Sequence, residues 1–325
     1  MSRILVTGAT GCIGSAAVDW LLADGVERVF ALSRSAPAPQ GRIPQVDFLL
    51  GDVADESRLH EVLREVRPTH VLHLAALQTP DCRDHPMRGL EVNLLGTANL
   101  LKLCAELEHP LQRFVFASSG AVYGPRSLYG QEGVMPDDPY KPFSLYGYWK
   151  IAGEGMAQAF HEAHKVPTVS LRLATTYGPG RDRGFTAAAT HALKAVALGL
   201  PYEIPYRGFE HYHFSLDVGA GFGCALLRDF AGYGAFNLPG KSLAIEVFLE
   251  RVRQAAEEKG IADRFHVTIA PDAQETPFVY DLNADSTMKA FPDMPLTAVD
   301  QGIDKSLDYF LGAVEEGGLT PEDLS

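Results

Sequence analysis

Cysteine is scarce in this chain. Cys12, Cys82, Cys104 and Cys224 are far apart and form no CxxC pair, which argues against a disulfide framework and a zinc ribbon. Basic residues are also in deficit: 28 Lys and Arg face 41 Asp and Glu, for a net charge of −13. Such a surface repels phosphate backbones and anionic lipid, so neither nucleic acid nor a membrane surface is expected as a partner. No apolar run is long enough to span a bilayer. The start runs straight into the strand pattern Ile4-Leu5-Val6, without the basic and apolar regions of a secretion signal. Internal repeats and low-complexity segments are absent as well. A cytoplasmic enzyme is the expectation.

What is present is ample apolar material, 46% of 325 residues, enough for one large domain or two modest ones. Arg3 to Thr7 reads as a buried strand. It runs into Gly8-Ala-Thr-Gly11-Cys-Ile-Gly14, and a helical pattern follows from about Ser15 to Leu22. In the order strand, glycine turn, helix, the backbone can approach a pyrophosphate and the helix start can hold it. Val29–Leu32 is a second strand, and Ser33-Arg34 follows where NAD-binding units carry an acidic residue for the ribose. A small hydroxyl leaves room for a 2′-phosphate and a guanidinium can pair with it, so NADP is favoured over NAD.

Ser35–Pro44 reads as a Pro/Ala-rich loop. Further strands are expected at Val46–Leu50, Val71–Leu74, Phe114–Phe116 and Val166–Leu173. Helices are expected at Glu56–Val66, from Pro86 onward, and from Tyr146 to about His164. This alternation predicts a doubly wound parallel sheet of about seven strands, with functional residues at the strand C-termini. Beyond it, helices are expected at 185–198, 217–230, 243–258 and 297–312, short strands near 203–206, 234–238 and 265–269, and a frayed acidic tail after Ala313. Residues 1–178, with returning segments near 209–240 and 277–287, would form the dinucleotide domain. Residues 179–325 would mainly build a smaller α/β substrate lobe.

Tyr146 and Lys150 stand four residues apart, one turn of a helix. With Thr7-to-Gly14, Gly51-Asp52-Val53, His73-to-Ala76, Asn93 and Ser118-Ser-Gly-Ala-Val-Tyr-Gly124, they occur in an order that resembles the extended short-chain dehydrogenase/reductase family, the NAD(P)-dependent epimerase/dehydratases. The resemblance spans residues 1 to about 240, and the remainder more loosely. It implies a Rossmann fold. Gly8, Gly11, Cys12, Ile13 and Gly14 would surround the pyrophosphate, Asp52 and Val53 would flank the adenine, and Leu74, Ala75 and Ala76 would run along the cofactor. Ser33, Arg34, Asn93 and Leu173 complete the expected cofactor set. Ser119, Tyr146 and Lys150 match the catalytic residues. Gln78, Gly120 and Thr175, with Ser119 and Tyr146, are expected at the substrate. Family members commonly form homodimers through two long helices, here about 88–107 and 145–163.

A free tyrosine titrates near pH ~10 and is a poor base at neutrality. Lys150 and an oxidised nicotinamide would both favour phenolate, and a shift of about three units needs roughly 4 kcal/mol. Tyr146 would then take a hydroxyl proton while hydride leaves the same carbon.

Two departures from the family pattern bear on the reaction. The stretch after Ser119 lacks the Asp-Glu pair of the dehydratases, which disfavours loss of water. Where nucleotide-sugar epimerases carry an arginine for the diphosphate, the chain reads Glu210-His-Tyr-His-Phe-Ser215; a second arginine is missing near Gln274-Glu275, and Thr175 stands for an asparagine. The favoured reading is thus an NAD(P)-dependent oxidoreductase acting on a small non-nucleotide compound: a free sugar, sugar acid, lactone or related hydroxy or keto compound. The alternative is a 4-epimerase-like enzyme working through a transient ketone, and a lesser one is a non-catalytic dinucleotide sensor. His211 and His213 would face the same way on a strand, but no third metal ligand is evident and no metal is expected. Tyr148 and Trp149 read as helix-packing residues, with a dimer contact as the lesser alternative.

Overall fold

The structure, a computed structural model, describes residues 2–35 and 43–324. Most of the loop expected at Ser35–Pro44 therefore lies outside the described residues.

The first half alternates strand and helix. Strands β1 (Ile4–Thr7), β2 (Val29–Ser33), β3 (Val46–Leu50), β4 (His70–His73), β5 (Arg113–Ser119) and β6 (Thr168–Leu173) lie in one sheet. Its seventh strand is β10 (Tyr233–Asn237), and the order is β10-β6-β5-β4-β1-β2-β3. All six pairings are parallel. Strands such as Ile4-Leu5-Val6 are buried on both faces, as a parallel sheet covered by helices requires. Helices α1 (Cys12–Ala23) and α8 (Ser215–Leu227) cover one face. On the other lie α2 (Glu56–Val66), α5 (Gly96–Ala105) and α6 (Leu145–His164).

Local signals explain the boundaries. The Asp55 side chain caps α2 by accepting from Arg58 N at 3.0 Å, and Arg67 ends it in the left-handed region at φ 49°. Ser144 caps α6 through Gly147 N at 3.2 Å. The region after Ala76 is more helical than expected. A short α3 (Thr79–Asp84) and α4 (Pro86–Gly89) lead into a π-helical stretch, Leu90–Leu95, before α5.

A second core gathers α7 (Ala188–Leu198), α9 (Ile245–Glu258) and α11 (Val299–Glu315). With them pack β8 (Tyr202–Arg207), parallel to β12 (Val267–Glu275), and a three-stranded sheet, β11-β9-β7. Strands β7 (Thr175–Tyr177), β9 (Phe209–Phe214) and β11 (Lys241–Ala244) carry no clear alternation and were not expected from the sequence. The short helix α10 (Asp285–Ala290) lies between β12 and α11. The tail is not frayed throughout: Leu319 is buried in this core, and Leu324 packs on it.

Candidate active site

A cavity of about 540 Å³ runs along the C-terminal edge of the sheet, where open α/β sheets bind ligands. The glycine turn forms its floor. Gly8 has φ +71°, and a Cβ there would lie 2.8 Å from Ala75 N, so only glycine fits. Gly11 caps α1 without a side-chain bond. The α1 N-terminus therefore opens on the cavity beside Cys12, Ile13 and Gly14, a site for a pyrophosphate.

At one end lie Ser33, Arg34, Asp52 and Val53. The Ser33 hydroxyl is bonded to Thr10, 3.3 Å from its N–H and 3.2 Å from its hydroxyl. Asp52 pairs with Arg88 and accepts from Ala54 N at 2.9 Å. Leu74, Ala75 and Ala76 form the middle wall. They rest on His73, whose ring is held between Thr7 Oγ1 at 2.7 Å and Thr97 Oγ1 at 3.0 Å. Thr97 donates to Asn93 O, so His73 Nε2–H donates to Thr97 and Nδ1 accepts from Thr7. Burial pushes this histidine down to about 3, and it is neutral.

At the other end the structure brings together Ser119, Gly120, Tyr146, Lys150, Leu173, Gln78 and Thr175. Gly147 is what lets α6 come so close. A Cβ there would collide with Ala121 O in the turn after Ser119. Lys150 Nζ donates to Ala117 O at 2.6 Å and lies 5.5 Å from the centre of the Tyr146 ring. Burial pulls Lys150 down to about 8.

Burial pushes Tyr146 up to about 12; a hydrogen bond with Ser119 and the charge of Arg181 draw it back. The sequence pattern points to Lys150 for that electrostatic role and carries no signal for Arg181. Arg181 lies in the loop Gly178-Pro-Gly-Arg, and nothing in its local pattern says that this loop folds back onto the cavity. An aromatic rim of Phe143, Phe185 and Phe278 was missed for the same reason.

Of the expected site residues, Asn93 alone does not line the cavity. Its amide accepts from Leu77 N at 2.8 Å and donates to Leu77 O at 2.9 Å. It shapes the cavity wall from behind. Glu210 also stands behind the wall. It accepts from Thr175 Oγ1 at 2.9 Å, and burial raises it to about 7. His213 Nε2 accepts from Ala174 N at 3.0 Å and its Nδ1–H donates to Pro239 O at 2.8 Å. His211 faces it with ring centres 4.9 Å apart. Among the described residues no three His, Cys, Asp or Glu side chains group as metal ligands. Trp149 packs inward, but Tyr148 is 58% exposed and is not a packing residue in this chain.

Beneath Ser119 lies a buried polar network. Arg172 pairs with Glu154 through Nε at 2.8 Å and Nη2 at 2.7 Å. Ser118 donates to the same carboxylate, and Tyr140 completes its shell at 2.8 Å.

A glycine turn at a helix start, with Ser119, Tyr146 and Lys150 at the far end of one cleft, is an arrangement that suits a dinucleotide-dependent enzyme. The model of the NAD dependent epimerase/dehydratase family matches residues 4–215, and the chain belongs to that family. It is 30% identical to a UDP-glucose 4-epimerase of Halalkalibacterium halodurans, over 77% of this chain and 79% of that protein. It is 29% identical to UDP-glucuronate 4-epimerase 2 of Arabidopsis thaliana, over 97% and 77%. Among solved structures, MoeE5 in complex with UDP-glucose and NAD superposes with a TM-score of 0.79 at 25% identity, covering 96% of this chain and all of that one. The UDP-glucose 4-epimerase of Thermus thermophilus in complex with NAD gives 0.76 at 28%, covering 96% and 99%. Among the described residues no helix is long and apolar enough to cross a membrane.

Proposed function

We propose that the chain is a sugar epimerase that oxidises one carbinol carbon and reduces it again from the opposite face. The observation that carries this is the grouping of Ser119, Tyr146 and Lys150 at one end of the dinucleotide cleft, with no spare carboxylate beside them. The carboxylates lining the cleft are Asp52, tied to Arg88, and Asp182, tied to Lys194 at 2.7 Å. An elimination of water would need a free acid and base.

A nicotinamide dinucleotide bound in the cleft supplies the hydride acceptor and donor. Tyr146 takes the hydroxyl proton and returns it when the carbon is reduced. Ser119 holds the same oxygen. Lys150, anchored on Ala117 O, orients the nicotinamide end. NADP remains an option through Arg34, which lines the adenosine end; NAD is the dinucleotide of the related structures named above.

The oxidoreductase favoured from the sequence is the second reading. It rested on Glu210 repelling a diphosphate, on the missing second arginine near Gln274-Glu275 and on Thr175 in place of an asparagine. Glu210 is turned onto Thr175 behind the wall, so it does not face a diphosphate in the cleft. Homodimerisation through the exposed face of α6 bearing Tyr148 belongs to the same proposal, and sedimentation of a Tyr148→Glu variant checks it.

The test is incubation with UDP-glucose, UDP-glucuronate, glucose and glucuronate, with NAD and with NADP in turn. Inversion at one carbon by NMR, without net reduced cofactor, is expected. Stoichiometric reduced cofactor would establish the second reading, and turnover with NADP alone would settle the dinucleotide.

A further inference from the structure

Among the described residues Arg181 makes no salt bridge, although the charge of Glu210 reaches it. Its Nη2 donates to Thr186 Oγ1 at 2.9 Å. Its Nε is enclosed and has no hydrogen-bond partner. Asp182 is paired with Lys194 at 2.7 Å, while Glu210 accepts from Thr175 at 2.9 Å and acts on Arg181 only through its charge. Burial lowers Arg181's pKa, yet a guanidinium stays charged. A partly buried, unpaired charge is costly unless a ligand pairs with it.

The position says what kind of ligand. Arg181 lines the cleft, and its charge acts on Tyr146, Cys12, Tyr206 and Glu210. It therefore stands between the glycine turn and the catalytic tyrosine. The pyrophosphate already has the α1 N-terminus. Exposed Arg183 lines the same wall, so this end of the cleft is basic in a chain of net charge −13.

We propose that Arg181 seats an anionic group of the substrate within a few bonds of the carbon that Tyr146 serves, so that the substrate is a sugar acid. The inference rests on the epimerase reading for its sugar, but not for its anion. The shared chemistry is a pair of anionic oxygens, which a substrate carboxylate or a phosphate could supply.

Calorimetry on the NAD-loaded, inactive Tyr146→Phe enzyme separates these sources without requiring turnover. UDP-glucuronate and UDP-glucose are titrated into the NAD-loaded enzyme, and NAD into the same enzyme freed of cofactor, with Arg181 intact, as Arg181→Lys and as Arg181→Met. Expected in Arg181→Met is a loss of about 30-fold for UDP-glucuronate, with UDP-glucose and NAD changed less than about threefold and Arg181→Lys in between. An equal loss for both sugars would put the nucleotide's phosphate on Arg181. A loss for NAD would put the cofactor's phosphate there. Either result, or no loss at all, overturns the proposal. NAD binding also reports that each variant is folded. If UDP-glucuronate binds through Arg181 yet no active enzyme turns it over, the epimerase reading fails and this one stands.

Discussion

Tyr146 is held in its protonated form by the protein alone, because burial outweighs Ser119 and Arg181. In the proposed mechanism Tyr146→Phe removes the acid/base from the reacting oxygen. Turnover is expected to fall by about 10²–10⁴-fold, while NAD affinity by fluorescence titration stays within about twofold. Retained activity above a few per cent would remove Tyr146 from the mechanism. Ser119, Tyr146, Lys150 and the glycines were legible in the sequence because their chemistry and backbone conformation demand those residue types at those spacings. Arg181 and the placement of Glu210 were not. Both depend on how β7, β9 and the loop after Tyr177 pack, and that is decided by long-range contacts rather than local pattern. Asn93 was legible as a residue but not in its role, since it touches Leu77 and not the cleft.

At the scale of the element, α6 carries three polar side chains on one stripe: Tyr146, Lys150 and Glu154. The last is fixed to Arg172 on β6, and both are almost fully buried. The helix is thereby pinned against the strands that present Ser119 and Leu173. Glu154→Gln keeps the shape but leaves Arg172 charged and unmatched. It should cost about 3–5 kcal/mol, read as a lower denaturant midpoint. A stability within about 0.5 kcal/mol of the parent would mean that packing, including Gly153 on Phe116, does the pinning. The existence of α6 and its start at Ser144 follow from local signals. Strands β9 and β11 do not announce themselves, because their faces are buried or half-buried without strict alternation.

At the scale of the whole molecule, acid should unfold the protein through its histidines. His70 and His213 are lowered to about 4 and His73 to about 3, chiefly by burial. The unfolded chain then binds more protons from about pH 6.5 downward, and stability falls with pH. Glu210 works in the opposite sense: raised to about 7, it takes up a proton in the folded state first and offsets one histidine. His211 is also lowered well below the ordinary histidine value, again chiefly by burial, so about three net protons remain, roughly 4 kcal/mol per pH unit near pH ~5. Thermal scans from about pH 7 to about pH 5 should show a steep decline in Tm, and a flat profile would contradict it. The sheet has one further consequence, for synthesis. Its edge beside β6 is closed by β10, whose first residue, Tyr233, follows Leu173 by 60 positions. α8, which packs on α1 with a Cβ-free Gly219 against Ala16, is also made in that interval. At about 5–20 residues per second the growing chain spends roughly 3–12 s with an open parallel edge and a bare apolar helix face. That interval is when the nascent chain is most exposed to mispairing with its neighbours on a polysome, and slowing translation there would lengthen it.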